Sequence, residues 1–218
     1  MLTTIRELDI SLLYYLDLTS IINFILMTKE QYDILTSIDF VKELCIINKQ
    51  DQILDCFDIV DLASENGFVS VLDWLYRSVN NFQYSESAII IASKNGHVNI
   101  LEWFAKYGYK IVCTKSAIDV AAAKGHINVL NWFSNSQYDF KYTENAIDMA
   151  SKKGYINVLN WFDRSKYEFL YSVDAITYAA INNHLDILNW FSNSKYEFKY
   201  NMKAINHAAK NGARRRLR

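Results

Sequence analysis

The sequence predicts an all-α solenoid of stacked helix-turn-helix units, each 29 residues long, behind a helical N-terminal region. Three observations predict it. The five tryptophans, Trp74, Trp103, Trp132, Trp161 and Trp190, stand 29 residues apart. Gly67, Gly96, Gly125 and Gly154 keep the same interval; Asn183 substitutes once and Gly212 follows. Ala63, Ala92, Ala121, Ala150, Ala179 and Ala208 keep it as well. Self-similarity at a fixed period of roughly 20–50 residues marks a repeat array. The units are 59–87, 88–116, 117–145, 146–174 and 175–203, with a partial sixth at 204–218, and no insertion separates them.

Residues 1–58 lack the period and are acidic, with 4 basic and 10 acidic side chains. Residues 10–27 are the most apolar run, long enough to raise the question of a membrane span. Asp17 stands near its middle, where a carboxylate costs about 2.5–3.5 kcal/mol on insertion scales. Buried helices are the better reading, and no membrane partner is expected. The first residues carry both charge signs and no basic stretch before an apolar one, so a signal peptide is not expected.

The unit at 146–174 shows how each repeat folds. Ala146, Ile147, Met149 and Ala150 give one apolar face at helical spacing. Gly154 then ends the helix, because glycine enters the left-handed region without a Cβ penalty. Asn183 is the next best residue for that conformation. A second helix follows, apolar over a wide arc: Ile156, Val158, Leu159, Trp161 and Phe162. The alternating Tyr167, Phe169 and Tyr171 predict an extended connector whose rings dock on the stack. No unit buries both faces alone, so stability is a sum of repeat and interface contributions.

Composition narrows the function. The formal net charge is −1, which gives no global basic field for nucleic acid. Proline is absent and there are 6 glycines, so proline-rich linkers and glycine-rich phosphate loops are excluded. Cys45, Cys56 and Cys113 are odd in number and lack metal-type spacing. Reduced thiols in a cytoplasm are expected, with the nucleus as the alternative. Cys113 has no evident basic partner to make it a nucleophile. Asp61, Asp119 and Asp148 share one repeat position, interrupted by Ile90, Thr177 and Asn206, and form no evident acid–base pair. The tryptophans lie beside Leu and Phe on an apolar helix face and read as core rather than as stacking platforms for bases. Catalysis, cofactors, metals and small-molecule substrates are not expected.

The order A-I-D-x-A-x-x-x-G-H-I-N-V-L-N-W-F resembles a degenerate ankyrin repeat. Gly96-His97 and Gly125-His126 match the family's G-H pair; Val129-Leu130 and Trp132-Phe133 match its second helix. The resemblance covers residues 59 to about 212. It departs at the opening, where forms such as Asn145-Ala146-Ile147-Asp148 replace T-P-L-H, and in period, since the family's repeat is about 33 residues. The projecting turns between repeats should therefore be short. The unit looks most like the expanded ankyrin families of giant amoeba-infecting viruses, which would put the chain in a host cytoplasm.

The resemblance implies protein–protein recognition through the first-helix surface and the loop tips. It also implies that His97, His126 and His184 order the loops by hydrogen bonding, about 10 Å apart and too far to share a metal. Positions that differ between units are the candidates for partner binding, since packing accounts for the constant ones. They are the third, fourth and seventh of the first helix, and include Asp119, Ala123, Asp148, Lys152, Thr177, Tyr178 and Ile181.

Residues 12–45 resemble the F-box pattern. Leu12 begins the leucine-rich stretch and Leu16-Asp17-Leu18 match its L-x-L step. Lys29 to Tyr32 occupy its basic-aromatic stretch, and Phe40 to Leu44 its closing F/W-x-x-L; Leu8-Asp9 stand where the family has Leu-Pro. The resemblance implies docking of a Skp-type linker of a cullin–RING ubiquitin ligase through Leu12, Leu16 and Leu18. The alternative is a helical cap over the first repeat, and the two are compatible. After Gly212 the chain reads Ala213-Arg214-Arg215-Arg216-Leu217-Arg218, where the register predicts HINVLN. A solvated basic end is one reading. A chain cut or frame-shifted inside its sixth repeat is another, and then the last full repeat should fray or self-associate.

Overall fold

A computed structural model describes residues 56–78, 82–112 and 114–216. Among them are eleven α-helices and no strand, as the fold class requires. They are α1 (Cys56–Asn66), α2 (Val69–Ser78), α3 (Glu86–Asn95), α4 (Val98–Lys106), α5 (Thr114–Ala123), α6 (Ile127–Asn135), α7 (Asn145–Lys153), α8 (Ile156–Arg164), α9 (Val173–Asn182), α10 (Leu185–Asn193) and α11 (Met202–Arg216). None is long and apolar enough to cross a membrane. The F-box-like segment with Leu12, Leu16 and Leu18, along with Cys45 and Cys113, lies outside the described residues.

The described residues fall into two compact units, one holding 56–59, 70–78 and 82–83, the other Val60–Val69 and 84–216. In the first, Leu72 and Leu75 are buried, and Tyr76 and Phe82 meet edge to face. In the second, α3, α5, α7, α9 and α11 pack side by side, and each of the first four also packs on the helix that follows it. This makes two layers, with first helices in one and second helices in the other.

Alanine sets the spacing of the first layer. Ala88, Ala92, Ala117, Ala121, Ala146, Ala150, Ala175 and Ala179 are fully buried, so neighbouring first helices approach closely. The second helices fill the space between layers with large side chains; Phe104, Phe133, Phe162 and Phe191 are each at most 1% exposed. Such phenylalanines dominate the core by area.

The first helices end as the sequence predicts. Gly96 (φ 79°) and Gly154 (φ 76°) are left-handed, and Asn183 takes the same conformation at φ 61°. At Gly96 the amide reaches Ser93 O and the His97 amide reaches Ala92 O at 2.9 Å, which satisfies the last helical carbonyls. Gly212 differs: α11 runs through it to Arg216. Glycine alone does not stop a helix. The turn must be held by an apolar second helix, and Ala213 and Arg214 to Arg216 do not supply one.

The connectors are extended and aromatic, also as predicted. Those after α6, α8 and α10 leave through a serine turn, in which Ser136, Ser165 and Ser194 each donate to the phenylalanine carbonyl three residues back, while the one after α4 leaves through Tyr107 and the left-handed Gly108. Phe140 then stacks on Tyr167 of the next repeat at 3.9 Å, and Phe169 on Tyr196 at 4.1 Å. Tyr142 and Tyr171 lie against Phe162 and Phe191. Burial pushes the Tyr142 phenol up to about 12. In the last connector Phe198 and Tyr200 are 39% and 57% exposed.

The tryptophans correct the sequence reading in part. Trp103 is 3% exposed and belongs to the core. Trp132, Trp161 and Trp190 are half-buried at its rim. For Trp161 and Trp190 the cause is the polar indole N–H, which needs a partner: Trp161 Nε1 donates to Asn131 Oδ1 and Trp190 Nε1 to Asn160 Oδ1, each on the preceding repeat.

Two substitutions test this account of the core. Ser151 is fully buried with an unbonded hydroxyl, while Ser93 in the same register bonds Ile89 O and alanine stands at 122 and 180. Ser151→Ala should therefore raise stability by about 1 kcal/mol in urea unfolding, since it removes an unsatisfied buried group. Phe162→Ala should lower it by about 3–5 kcal/mol.

Candidate partner-binding face

Two sets of side chains join the repeats of the larger unit and decide which residues remain for a partner. The first set lies at the helix ends. The rings of His97, His126 and His184 lie over Gly67, Gly96 and Gly154 of the preceding repeat, and Tyr155 lies over Gly125. A Cβ built on Gly154 would fall 2.6 Å from His184 Nδ1. Nε2 of each histidine sits 2.9–3.0 Å from a backbone carbonyl, of Glu65, Lys94 and Lys152 respectively. A carbonyl only accepts, so Nε2 carries the proton. Asn99 and Asn128 add bonds of 2.8 Å to the carbonyls of Gly67 and Gly96. The histidines order the turns, as the family resemblance implies. No cluster able to hold a metal occurs among the described residues.

The second set lies at the helix starts. Thr143 donates through its amide (2.8 Å) and its hydroxyl (2.6 Å) to the two carboxylate oxygens of Asp119. Ser172 binds Asp148 in the same way, and Ser85 Oγ donates to Asp61. The same hydroxyls accept from the amides of Asn145, Asp174 and Ser87 at the starts of α7, α9 and α3, and Ser172 and Ser85 are the caps of α9 and α3. Burial raises the Asp119 and Asp148 carboxyls above the ordinary 3.8, and the Thr143 and Ser172 hydrogen bonds oppose it.

These bonds reassign part of the predicted binding set. Asp148 is 5% exposed and Thr177 is 1% exposed, with Thr177 Oγ1 on Val173 O. Asp119 is half-buried and held by Thr143. The third position of the first helix therefore faces the neighbouring repeat and has no free group for a partner. Sequence comparison of the units missed this. The available signal was that a Ser or Thr stands 24 residues after each recurring aspartate.

The fourth and seventh positions do reach the surface. Ile91, Val120, Met149 and Tyr178 occupy the fourth position in successive repeats, all half-buried, and form an apolar row across the first helices. Lys94, Ala123, Lys152 and Ile181 occupy the seventh beside them. Lys152 Nζ stands 5.0 Å from the centre of the Tyr178 ring, which joins two repeats on this surface. The face offers aliphatic and aromatic contact edged by lysine ammonium groups, suited to an apolar protein surface with carboxylates at its rim.

A family model of ankyrin repeats, in three copies, matches residues 37–146. The chain belongs to the ankyrin-repeat family. The left-handed turns, inter-repeat rings and capping hydroxyls continue beyond the matched residues through Ser172 and His184. No curated protein matches the chain. The ankyrin assignment makes the array a protein–protein interaction module, in a family whose members are typically non-enzymatic scaffolds.

The raised carboxyls fix a sign for pH dependence. A group whose folded pKa lies above its unfolded value stabilises most below the unfolded value, and loses that contribution as pH rises through the folded one. The parent should therefore lose stability relative to an Asp119→Asn/Asp148→Asn double variant as pH rises from below 3.8 toward neutrality. Asp148→Ala, which strands both Ser172 donors, should cost about 1–3 kcal/mol at neutral pH. Urea unfolding of the three proteins across that range measures both effects. A parent that gains on the double variant as pH rises would refute the assignment.

Proposed function

We propose that the ankyrin array recognises a protein through the fourth and seventh positions of its first helices. The supporting observation is the row Ile91, Val120, Met149 and Tyr178, only half-buried on helices whose other apolar positions are largely consumed by packing. Lys152 and Tyr178, both in the predicted set, belong to this face. Asp119 and Asp148 support it by fixing how one repeat sits on the next, and Thr177 is buried and bonded within its own helix.

Within this reading, the array is the substrate-holding half of an adaptor for a cullin–RING ubiquitin ligase. The support is the F-box-like order of residues 12–45, with Leu16-Asp17-Leu18 as its L-x-L step. The likeness of the repeats to those of giant viruses makes the linker a host protein and the site of action the host cytoplasm. The plain scaffold, in which residues 1–58 only cap the repeats, is the competing reading.

Gel filtration of the full chain with a purified Skp-type linker separates them. Co-elution that is lost in Leu16→Asp/Leu18→Asp, with the thermal midpoint of the array unchanged, supports the adaptor. A folded chain that never co-elutes leaves the scaffold. Met149→Glu should leave linker binding and the midpoint intact while abolishing capture of whatever the first-helix face holds.

A further inference from the structure

The second helices present a surface of a different kind. They touch one another far less than the first helices do, and shallow grooves remain between them. One, of about 640 Å³, lies between α6 and α8; the next, of about 540 Å³, lies between α8 and α10. Each has a half-buried indole on its wall, Trp161 in one and Trp190 in the other.

The asparagines beside these indoles are oriented. An indole N–H only donates, so the amides of Asn131 and Asn160 must turn their oxygens toward Trp161 and Trp190. Their NH2 groups then face away from the indoles, and neither has a partner among the described residues. The grooves also differ in charge. Arg164 and Lys166 line the first, which has no carboxylate on its wall. Asp186 lines the second, where Asp163 is already paired with Lys195 at 3.0 Å.

We propose that these two grooves bind one extended peptide in the polyproline-II conformation. Its acidic side chain lies over Arg164 and Lys166, and its basic side chain, three residues away, lies over Asp186. A polyproline-II strand has no internal hydrogen bonds, so its carbonyls are free to accept from Asn131 and Asn160. It repeats every three residues with a rise of about 3.1 Å, so equivalent side chains are about 9 Å apart. The closely packed first helices set the repeat along the array at about 8–10 Å, and the grooves recur once per repeat. Proline rings against indole walls are a recurrent mode of recognition for such segments. This surface is separate from the first-helix face and does not depend on it.

The test uses the full chain and a fluorescein-labelled octapeptide, Pro-Pro-Glu-Pro-Pro-Arg-Pro-Pro, in fluorescence anisotropy. Saturable binding is expected. It should weaken about tenfold, or 1.4 kcal/mol, for an octapeptide of the same composition with its charges two residues apart. Arg164→Glu/Lys166→Glu should weaken it at least as much. So should Asn131→Asp, which keeps an oxygen for the Trp161 indole but removes the NH2 donor. Met149→Glu should leave it unchanged, so failure here and failure of the first-helix reading are distinguishable. Unchanged thermal midpoints confirm that each variant is folded. Absent binding, equal binding of the two spacings, or indifference to the Arg164 and Lys166 reversal overturns the proposal. So does preferential binding of a single-stranded oligonucleotide or a chito-oligosaccharide in the same grooves.

Discussion

The array depends on the left-handed turn that closes each first helix, because one repeat receives the next at that point. A helix end leaves carbonyls without partners. Here the turn satisfies some of them, and side chains of the following repeat satisfy others: a histidine Nε2 on the residue two before the glycine, and an asparagine amide on the glycine itself. The ring can reach its carbonyl only because the glycine carries no Cβ. The glycine is therefore required twice, for its backbone angle and for the space it leaves. Finishing one helix and seating the next repeat are a single physical event, which makes the stack cooperative between neighbours.

The other end of the first helix is tied by the Asp119–Thr143 and Asp148–Ser172 bonds, with the buried alanines between the two ends. First helices are thus clamped at both ends and in close contact along their length. The second helices have no equivalent clamp. They are joined through rings that reach across repeats, Phe140 to Trp161 and Phe169 to Trp190, and through the indole–asparagine bonds. Bulky rings hold helices apart where alanines let them close. The tight layer and the grooved layer follow from the same 29-residue unit.

Much of this was legible in the sequence, because the period was. Repetition without insertion gave the units, the glycine interval gave the turns, and the apolar spacing gave both helices. Asn183 was legible as a residue that tolerates the left-handed turn; the structure adds that a ring lies over each glycine of this register, and the residue in register with that ring for Asn183 is Ala213, so none is placed to crowd its Cβ. What stayed hidden required knowing which face of a helix meets its neighbour. Asp148 and Thr177 vary between units just as surface residues do, yet they are buried, because a hydroxyl 24 residues on or a carbonyl within the helix draws each inward. The half-burial of Trp161 and Trp190 was hidden for a related reason. Hydrophobicity places an indole in the core, but its one N–H is served at the rim. Gly212 keeps the interval without ending its helix, because a glycine stops a helix only where something packs beyond it.

The division between fixed and free positions has a consequence for binding. The bonds that hold repeats together use backbone carbonyls, glycines and a few repeated side chains, none of which lies in the row Ile91, Val120, Met149 and Tyr178. That row can change its chemistry repeat by repeat without disturbing the stack. A partner lying along it touches one residue from each of four repeats and so bridges three interfaces. Binding to the stacked state alone stabilises that state by mass action. In an array where stability is a sum over neighbours, the gain falls on every interface the partner spans. A partner's length along the array therefore counts as much as its chemistry at any single repeat.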